Sequence, residues 1–325
     1  MTIFDAALYA ATGTFMGMPA SWDLSAARMA VLGIPFDCGT HAVRIGARLG
    51  PSAIREQSVL VRRFEPPDND FDAVERLGLV DCGNAKVVPG VIGDSYAVIE
   101  EAVWRIVSQG VIPLTMGGDG AVTLPQLRAV HRQYPDLVVL HIDAHTDTNP
   151  DGAAAGSDER ARYNTGSTFT RAAEEGLVDP AYSFHIGARG TTYLSGVFTH
   201  TRSLGYRLID GAELGRRGIE DVVHEVRQRL AGRPVYLCFD MDFFDPSCAP
   251  GVCAPAWGGA TAREGLVLIQ ALSGLRFVAF DVNTVSPPHD VGGMTAYLAA
   301  TCMHQFMILA CRALGLANAA TEPPR

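Results

Sequence analysis

The sequence predicts an α/β fold in which helices cover both faces of a mainly parallel sheet. Three observations carry that expectation. Short apolar runs alternate with helix-periodic segments along most of the 325 residues. The runs are near-continuous rather than alternating in polarity, as strands buried on both faces are. The polar residues richest in chemistry sit just past the ends of those runs, where open α/β sheets bind their ligands.

Element by element, residues 30–36 (AVLGIPF) give the first strand signal, ended by Pro35 and Asp37. Gly50, Pro51 and Ser52 open a helix through Ile54 and Gln57, with the proline near the first turn, where its missing N–H does no harm. Residues 96–108 carry helical apolar spacing and residues 111–116 follow as a strand; helix 123–134 then leads to strand 137–143. Further strands are expected at 182–187, 206–209, 235–240 and 277–282, with helices 212–230, 261–272 and 296–314 between or after them. No internal repeat or low-complexity linker divides the chain. A single domain over residues 1–325 is therefore expected, with 1–25 as an N-terminal extension, 151–160 as a long surface loop and 316–325 as a disordered tail.

Hydrophobic residues make up 48% of the chain and charged residues 19%, enough for a large core and far from a disordered composition. The formal net charge is −9 and no long Lys/Arg run occurs, which argues against nucleic acid and acidic membranes and fits a cationic or neutral small molecule better. Residues 1–21 lack a basic segment followed by an apolar one, so no secretory signal is expected. No uninterrupted apolar stretch reaches the ~18 residues of a spanning helix. Seven scattered cysteines, none in a C-x-x-C pair, suit a reducing compartment and argue against a thiolate zinc site. A cytoplasmic globular protein is the expectation.

Two clusters carry the chemistry. Asp143, His145 and Asp147 follow the run LVVLHI, and alternation along an extended segment would send all three side chains the same way. Asp240 and Asp242 follow VYLCF in the same manner, with Asp245 and the Ala249-Pro250-Gly251 turn beyond. One aspartate at a strand end usually caps a helix or makes a turn. Four carboxylates and an imidazole at two strand ends are another matter, because burying them together costs several kcal/mol per ion unless cations compensate or their pKa values rise. A divalent cation pair is the simpler account, and aspartate oxygens with a histidine nitrogen suit manganese, nickel or a similar ion.

With those residues in view, the sequence resembles the ureohydrolases, the arginases, agmatinases, guanidinobutyrases and their relatives. The resemblance rests on DAHTD at 143–147, FDMDFFDP at 239–246, the opening GIPFDCGT with IGARLGPSAIRE at 33–56, and GGMTAYLAA at 292–300. It implies a three-layer α/β/α fold of the arginase type, assembled as trimers or hexamers. It also implies a binuclear metal centre that activates water for attack on a guanidinium carbon, releasing urea and an amine. Within that resemblance Asp143 and Asp240 match the aspartates that bridge both metals, His145 and Asp242 the remaining ligands of one, and Asp147 a ligand of the other.

Three positions depart from the family pattern. Where a Gly-Gly-Asp-His motif would supply the last histidine ligand, the chain reads Gly117-Gly118-Asp119-Gly120. Where the family has a proton-shuttling histidine before glycine, it reads Asn164-Thr165-Gly166; where a glutamate holds the guanidinium, it reads Asn283-Thr284-Val285-Ser286-Pro287. Threonine is no general acid or base near neutral pH, and Thr284 offers no charge to a cation. No confident catalytic residue remains, and the centre is expected to bind one divalent ion or none. His41 and His289 lie in loops that would border the pocket and could substitute; His141, inside an apolar run, reads as a core histidine. Cys248 and Cys253 read as packing residues near the metals, and Trp257 as a pocket wall or an oligomer contact.

Two functional expectations follow. In the first, the chain is a catalytically impaired subunit that assembles with an active homologue on a small guanidino compound, similar to the arrangement of metformin hydrolase, a nickel-dependent two-subunit member of the family. In the second, it is itself an active metal-dependent amidinohydrolase, agmatinase- or guanidinobutyrase-like, with altered substrate anchoring.

Overall fold

A computed structural model describes residues 13–38, 43–88, 91–150 and 162–317. Eight strands form one sheet: β1 Met29–Gly33, β2 Val80–Asn84, β3 Ile112–Met116, β4 Val138–Ile142, β5 Phe184–Ile186, β6 Arg207–Ile209, β7 Pro234–Asp240 and β8 Arg276–Asn283. Their spatial order is β2-β1-β3-β8-β7-β4-β5-β6, and every pairing is parallel. Parallel neighbours need crossovers, and the helices supply them on both faces, which gives the three layers.

The apolar runs behave as strands buried on both sides. Along β4, Val138, Leu140 and Ile142 enter one core and Val139 the other; along β7, Leu237 and Phe239 face the first core, Tyr236 and Cys238 the second. Burying one such side chain contributes about 1.5–3 kcal/mol, so these central strands are firmly seated. The helix Met294–Ala313 has a stretch of mean hydropathy 1.3, long and apolar enough by composition to cross a membrane, yet 78% of it is buried inside the fold. It packs on Gly50–Ser58, Ala262–Ala271 and β8 as a core helix.

Several expectations need correction. The helix expected over 212–230 is two helices, Gly211–Arg217 and Ile219–Arg229, broken where Gly218 takes φ +78. β2, with Asp, Gly and Asn among its five residues, carried no apolar run and was not anticipated, nor were the short helices Thr168–Glu174 and Val197–Ser203. β1 stops at Gly33, although Ile34 and Phe36 stay buried beyond it. The described part of the N-terminal extension packs into the body: Phe15 and Met18 are buried, and the Phe15 N–H donates to Asp81 Oδ2 at 2.8 Å. Of the expected tail, Leu316 packs against the core and its N–H donates to the Cys311 carbonyl; residues 318–325, the loop 151–160 and His41 lie outside the described residues.

Candidate metal centre

The centre forms at the carboxyl ends of four adjacent strands, β3, β8, β7 and β4. β4 and β7 run in register with Ile142 opposite Phe239, so Asp143 and Asp240 emerge side by side. Asp143, Asp147, Asp240 and Asp242 are all buried, and His145 is about one-third exposed, its side chain at 32%.

The clusters converge, but not through the extended alternation expected. Both strands end in tight turns that their own aspartates stabilise: Asp143 Oδ1 accepts the His145 N–H at 2.6 Å, and Asp240 Oδ1 accepts the Asp242 N–H at 2.7 Å. Asp242 Oδ1 then accepts the Ala144 N–H at 3.1 Å across the strands. His145 Nδ1 lies 3.1 Å from Asp242 Oδ2 and 3.3 Å from Asp143 Oδ1. Donor atoms of Asp143, His145 and Asp242 all lie within 4.8 Å of one another, and so do those of His141, Asp143 and Asp147. The Asp147 backbone has φ +49, a left-handed turn that aspartate tolerates.

The electrostatics are those of an acidic site in want of a cation. Burial, reinforced by the Asp143 charge, pushes Asp147 well above the usual carboxylate range. Burial and Asp242 do the same to Asp240, and burial with Asp143 lifts Asp242 to about 6. Burial would raise Asp143 too, but the imidazoles of His141 and His145 hold it well below the ordinary value. Burial disfavours the His145 cation, yet Asp242 and Asp143 outweigh it and raise its pKa well above normal. These oxygens and the His145 nitrogen fit a hard or borderline divalent ion, with Asp143, His145 and Asp242 the most compact set.

Position 120 faces the other end of the centre. A Cβ built on Gly120 would lie 3.0 Å from Asp147 Oδ2 and 2.9 Å from Thr165 Cγ2. Being glycine, position 120 places no side chain between them. Thr165 is buried beside it, and Thr284, at φ +67, donates its hydroxyl to Asp240 Oδ1. Asp119 is buried and accepts N–H groups of Cys38 at 2.7 Å and Ala121 at 3.2 Å; burial raises it to about 6.

Above the carboxylates opens a cavity of about 130 Å³, walled by Asn149, Asn164, Thr165, Arg189, Tyr193, Phe198, Cys253 and Thr284. Among the described residues His145 is the one imidazole in that wall. Two expected pocket residues do not line it. Trp257 is 76% exposed on the surface, and His289 sits in the short helix Pro287–His289 with its Nε2 turned into the protein and unbonded. Cys248 points away, its Sγ against the Asp245 carbonyl at 3.3 Å, while Cys253 is buried in the wall. His141 is buried in the core, as expected, and also belongs to the centre, since its Nε2 lies 2.8 Å from Asp143 Oδ2. Arg189 was missed. Its Nη2 donates to the carbonyls of Asp242 at 2.8 Å and Ala256 at 2.9 Å, tying two loops together at the cavity. Its place just past β5 was the available signal.

Comparisons with known proteins agree with this geometry. The sequence profile of the Arginase family matches residues 27–309. Guanidinopropionase of Pseudomonas aeruginosa is 39% identical over 303 residues, 93% of this chain and 92% of that protein. Guanidinobutyrase of the same organism is 34% identical over 287 residues, 88% of this chain and 87% of that one. Among solved structures, the proclavaminate amidino hydrolase of Streptomyces clavuligerus superposes with a TM-score of 0.87 at 34% identity, covering 94% of this chain and 99% of its own.

Proposed function

The chain belongs to the arginase family, and from that membership we propose that it is a single-domain ureohydrolase subunit, catalytically impaired on its own, that assembles with an active homologue hydrolysing a guanidino or biguanide compound to urea and an amine. One observation carries the reading: position 120, flush against Asp147 and Thr165, is a glycine and offers no ligand atom of its own. The assembly proposed is trimer-based or hexameric, like that of metformin hydrolase, in the cytoplasm, a reducing compartment that suits scattered cysteines.

In this chain Asp143, His145, Asp242 and Asp240 would hold one divalent ion, nickel or manganese, with Asp147 at the edge of a weaker second position. Such an ion, when bound, would lower the pKa of its water and so supply the nucleophile. The chain's own residues supply less. Thr165 keeps its hydroxyl proton at neutral pH and cannot shuttle one. Position 284 is a threonine with its hydroxyl spent on Asp240, so it offers a guanidinium no carboxylate and none of a charge-assisted contact worth about 1.5–3 kcal/mol. Arg189 keeps the loops around the cavity in place through its carbonyl contacts.

A second reading is that the chain is itself an active amidinohydrolase of the agmatinase or guanidinobutyrase kind. It is favoured by the relatives, whose names are those of guanidino-compound hydrolases across almost the whole chain length. Expressing the chain alone and together with a homologue that retains the full ligand set separates the two. Metal content and urea release from guanidines and biguanides are measured in both preparations. The subunit reading expects urea only from the co-expressed protein, with activity surviving Asp143→Ala in this chain. Urea from this chain alone, lost on Asp143→Ala, would establish the second reading instead.

A further inference from the structure

Beneath the carboxylates lies a pair of histidines to which the proposed function gives no part. β4 and β5 pair in register with His141 opposite His185, so both imidazoles stand on one face of the sheet. His141 Nε2 lies 2.8 Å from Asp143 Oδ2, and His141 Nδ1 lies 2.8 Å from His185 Nδ1. The two rings meet edge to face, 4.9 Å between centroids. His185 is fully buried, between Phe169 at 5.1 Å and Tyr206 at 4.6 Å, and its Nε2 has no hydrogen-bond partner among the described residues. The Tyr206 hydroxyl cannot serve it, because it donates to the Phe169 carbonyl.

This closed arrangement fixes the protons. A carboxylate only accepts, so His141 Nε2 carries the hydrogen toward Asp143. His141 Nδ1 is then an acceptor, and His185 Nδ1 donates to it. That leaves a bare nitrogen at His185 Nε2 in the aromatic box. Running the chain the other way would strand an N–H there, and an unpaired buried donor is the rarer and costlier defect. We propose that His141 and His185 are positioning residues: a two-imidazole prop that holds the carboxylate of Asp143 in the orientation from which it faces the cation. The inference rests on the reading of Asp143 as a metal ligand. It also means that His141 is engaged as a donor and does not stand in for the imidazole missing at position 120.

Ring-nitrogen NMR of 15N-histidine-labelled, metal-free protein, with signals assigned through single histidine variants, tests the prop directly. His141 should carry its proton on Nε2 and His185 on Nδ1, and Ni2+ should leave the His141 assignment unchanged. A proton on His185 Nε2, or an Nε2 of His141 that binds Ni2+ itself, overturns the proposal. Titration calorimetry with Ni2+ and Mn2+ gives the second arm. His185→Phe should weaken binding roughly tenfold, in the range seen when supporting shells of metal ligands are removed. His185→Asn, whose amide N–H stands where the Nδ1–H stood, should restore most of it. Equal affinity in all three proteins overturns the proposal. If His185→Phe fails to fold, the NMR result and the His185→Asn affinity decide. If the wild-type protein binds neither ion, the metal reading itself fails, and the proton positions alone decide whether the prop exists.

Discussion

At Asp242 burial and charge oppose each other. Burial and the Asp143 carboxylate lift its pKa to about 6, whereas an unfolded aspartate titrates near 3.9. The native state therefore binds more protons between these values, and the charged form is a stability penalty above pH 6 that vanishes as pH falls toward 4. Asp242→Asn keeps an oxygen for the Ala144 N–H and removes the charge. In chelator-treated protein it should be more stable than wild type at pH 7–8, by up to about 3 kcal/mol, with the advantage fading as pH drops through 6 toward 4. Urea unfolding of both proteins across that range measures it; a variant less stable at every pH would show that the carboxylate is compensated within the fold. The same reasoning was legible in the sequence for Asp143, Asp240 and Asp242, because acidic residues at strand ends announce themselves. Tight turns in place of extended segments were not legible, since the Asx bonds that make them depend on side-chain direction, not residue type.

At the scale of elements, the long apolar strands β4, β7 and β8 stood out because both faces of each are buried. β2 did not, because it is an edge strand held by something other than an apolar run. Asp81 within it receives a fork from Arg55 on the helix Gly50–Ser58, Nε to Oδ2 at 2.8 Å and Nη2 to Oδ1 at 2.9 Å, both residues buried. Arg55 also donates to Asn84 Oδ1 at 2.6 Å and to the Gly83 carbonyl at 2.7 Å, and Asp81 accepts the Phe15 N–H. One ion pair thus ties a helix, the N-terminal segment and the sheet edge. Arg55→Ala strands a buried carboxylate and should destabilise the fold by about 3–5 kcal/mol. Arg55→Met with Asp81→Asn should recover part of that, since no charge is left unpaired. Denaturant midpoints of the three proteins test this; a loss below ~1 kcal/mol for Arg55→Ala would mean that the pair behaves as an exposed one. The split at Gly218 was illegible for a related reason: periodicity persists through 212–230, and only the positive φ reveals the break.

For the whole molecule, scaffold and centre are separable. Seven of the eight strands, all but β2, place buried apolar side chains in one core or the other, while the centre occupies only the carboxyl ends of four, so the chain should fold whether or not cations are bound. What binding adds is linkage: an ion that binds only the native state stabilises it by RT ln(1 + [L]/Kd), about 2.7 kcal/mol at a hundredfold excess over Kd. For a chain of this size that amounts to a rise in Tm of roughly 5 °C. Ni2+ or Mn2+ added to chelator-treated protein should therefore raise Tm, and circular dichroism should show the same fold before and after. His145→Ala removes the one imidazole that the described residues place in the cavity wall and should abolish most of the rise while leaving the metal-free Tm within about 1–2 °C, because His145 is partly exposed and bears little of the core. A rise that survives His145→Ala would place the bound ion elsewhere, toward Asp147. A metal-free chain that does not fold would show that the carboxylates repel strongly enough to make the cation part of the scaffold.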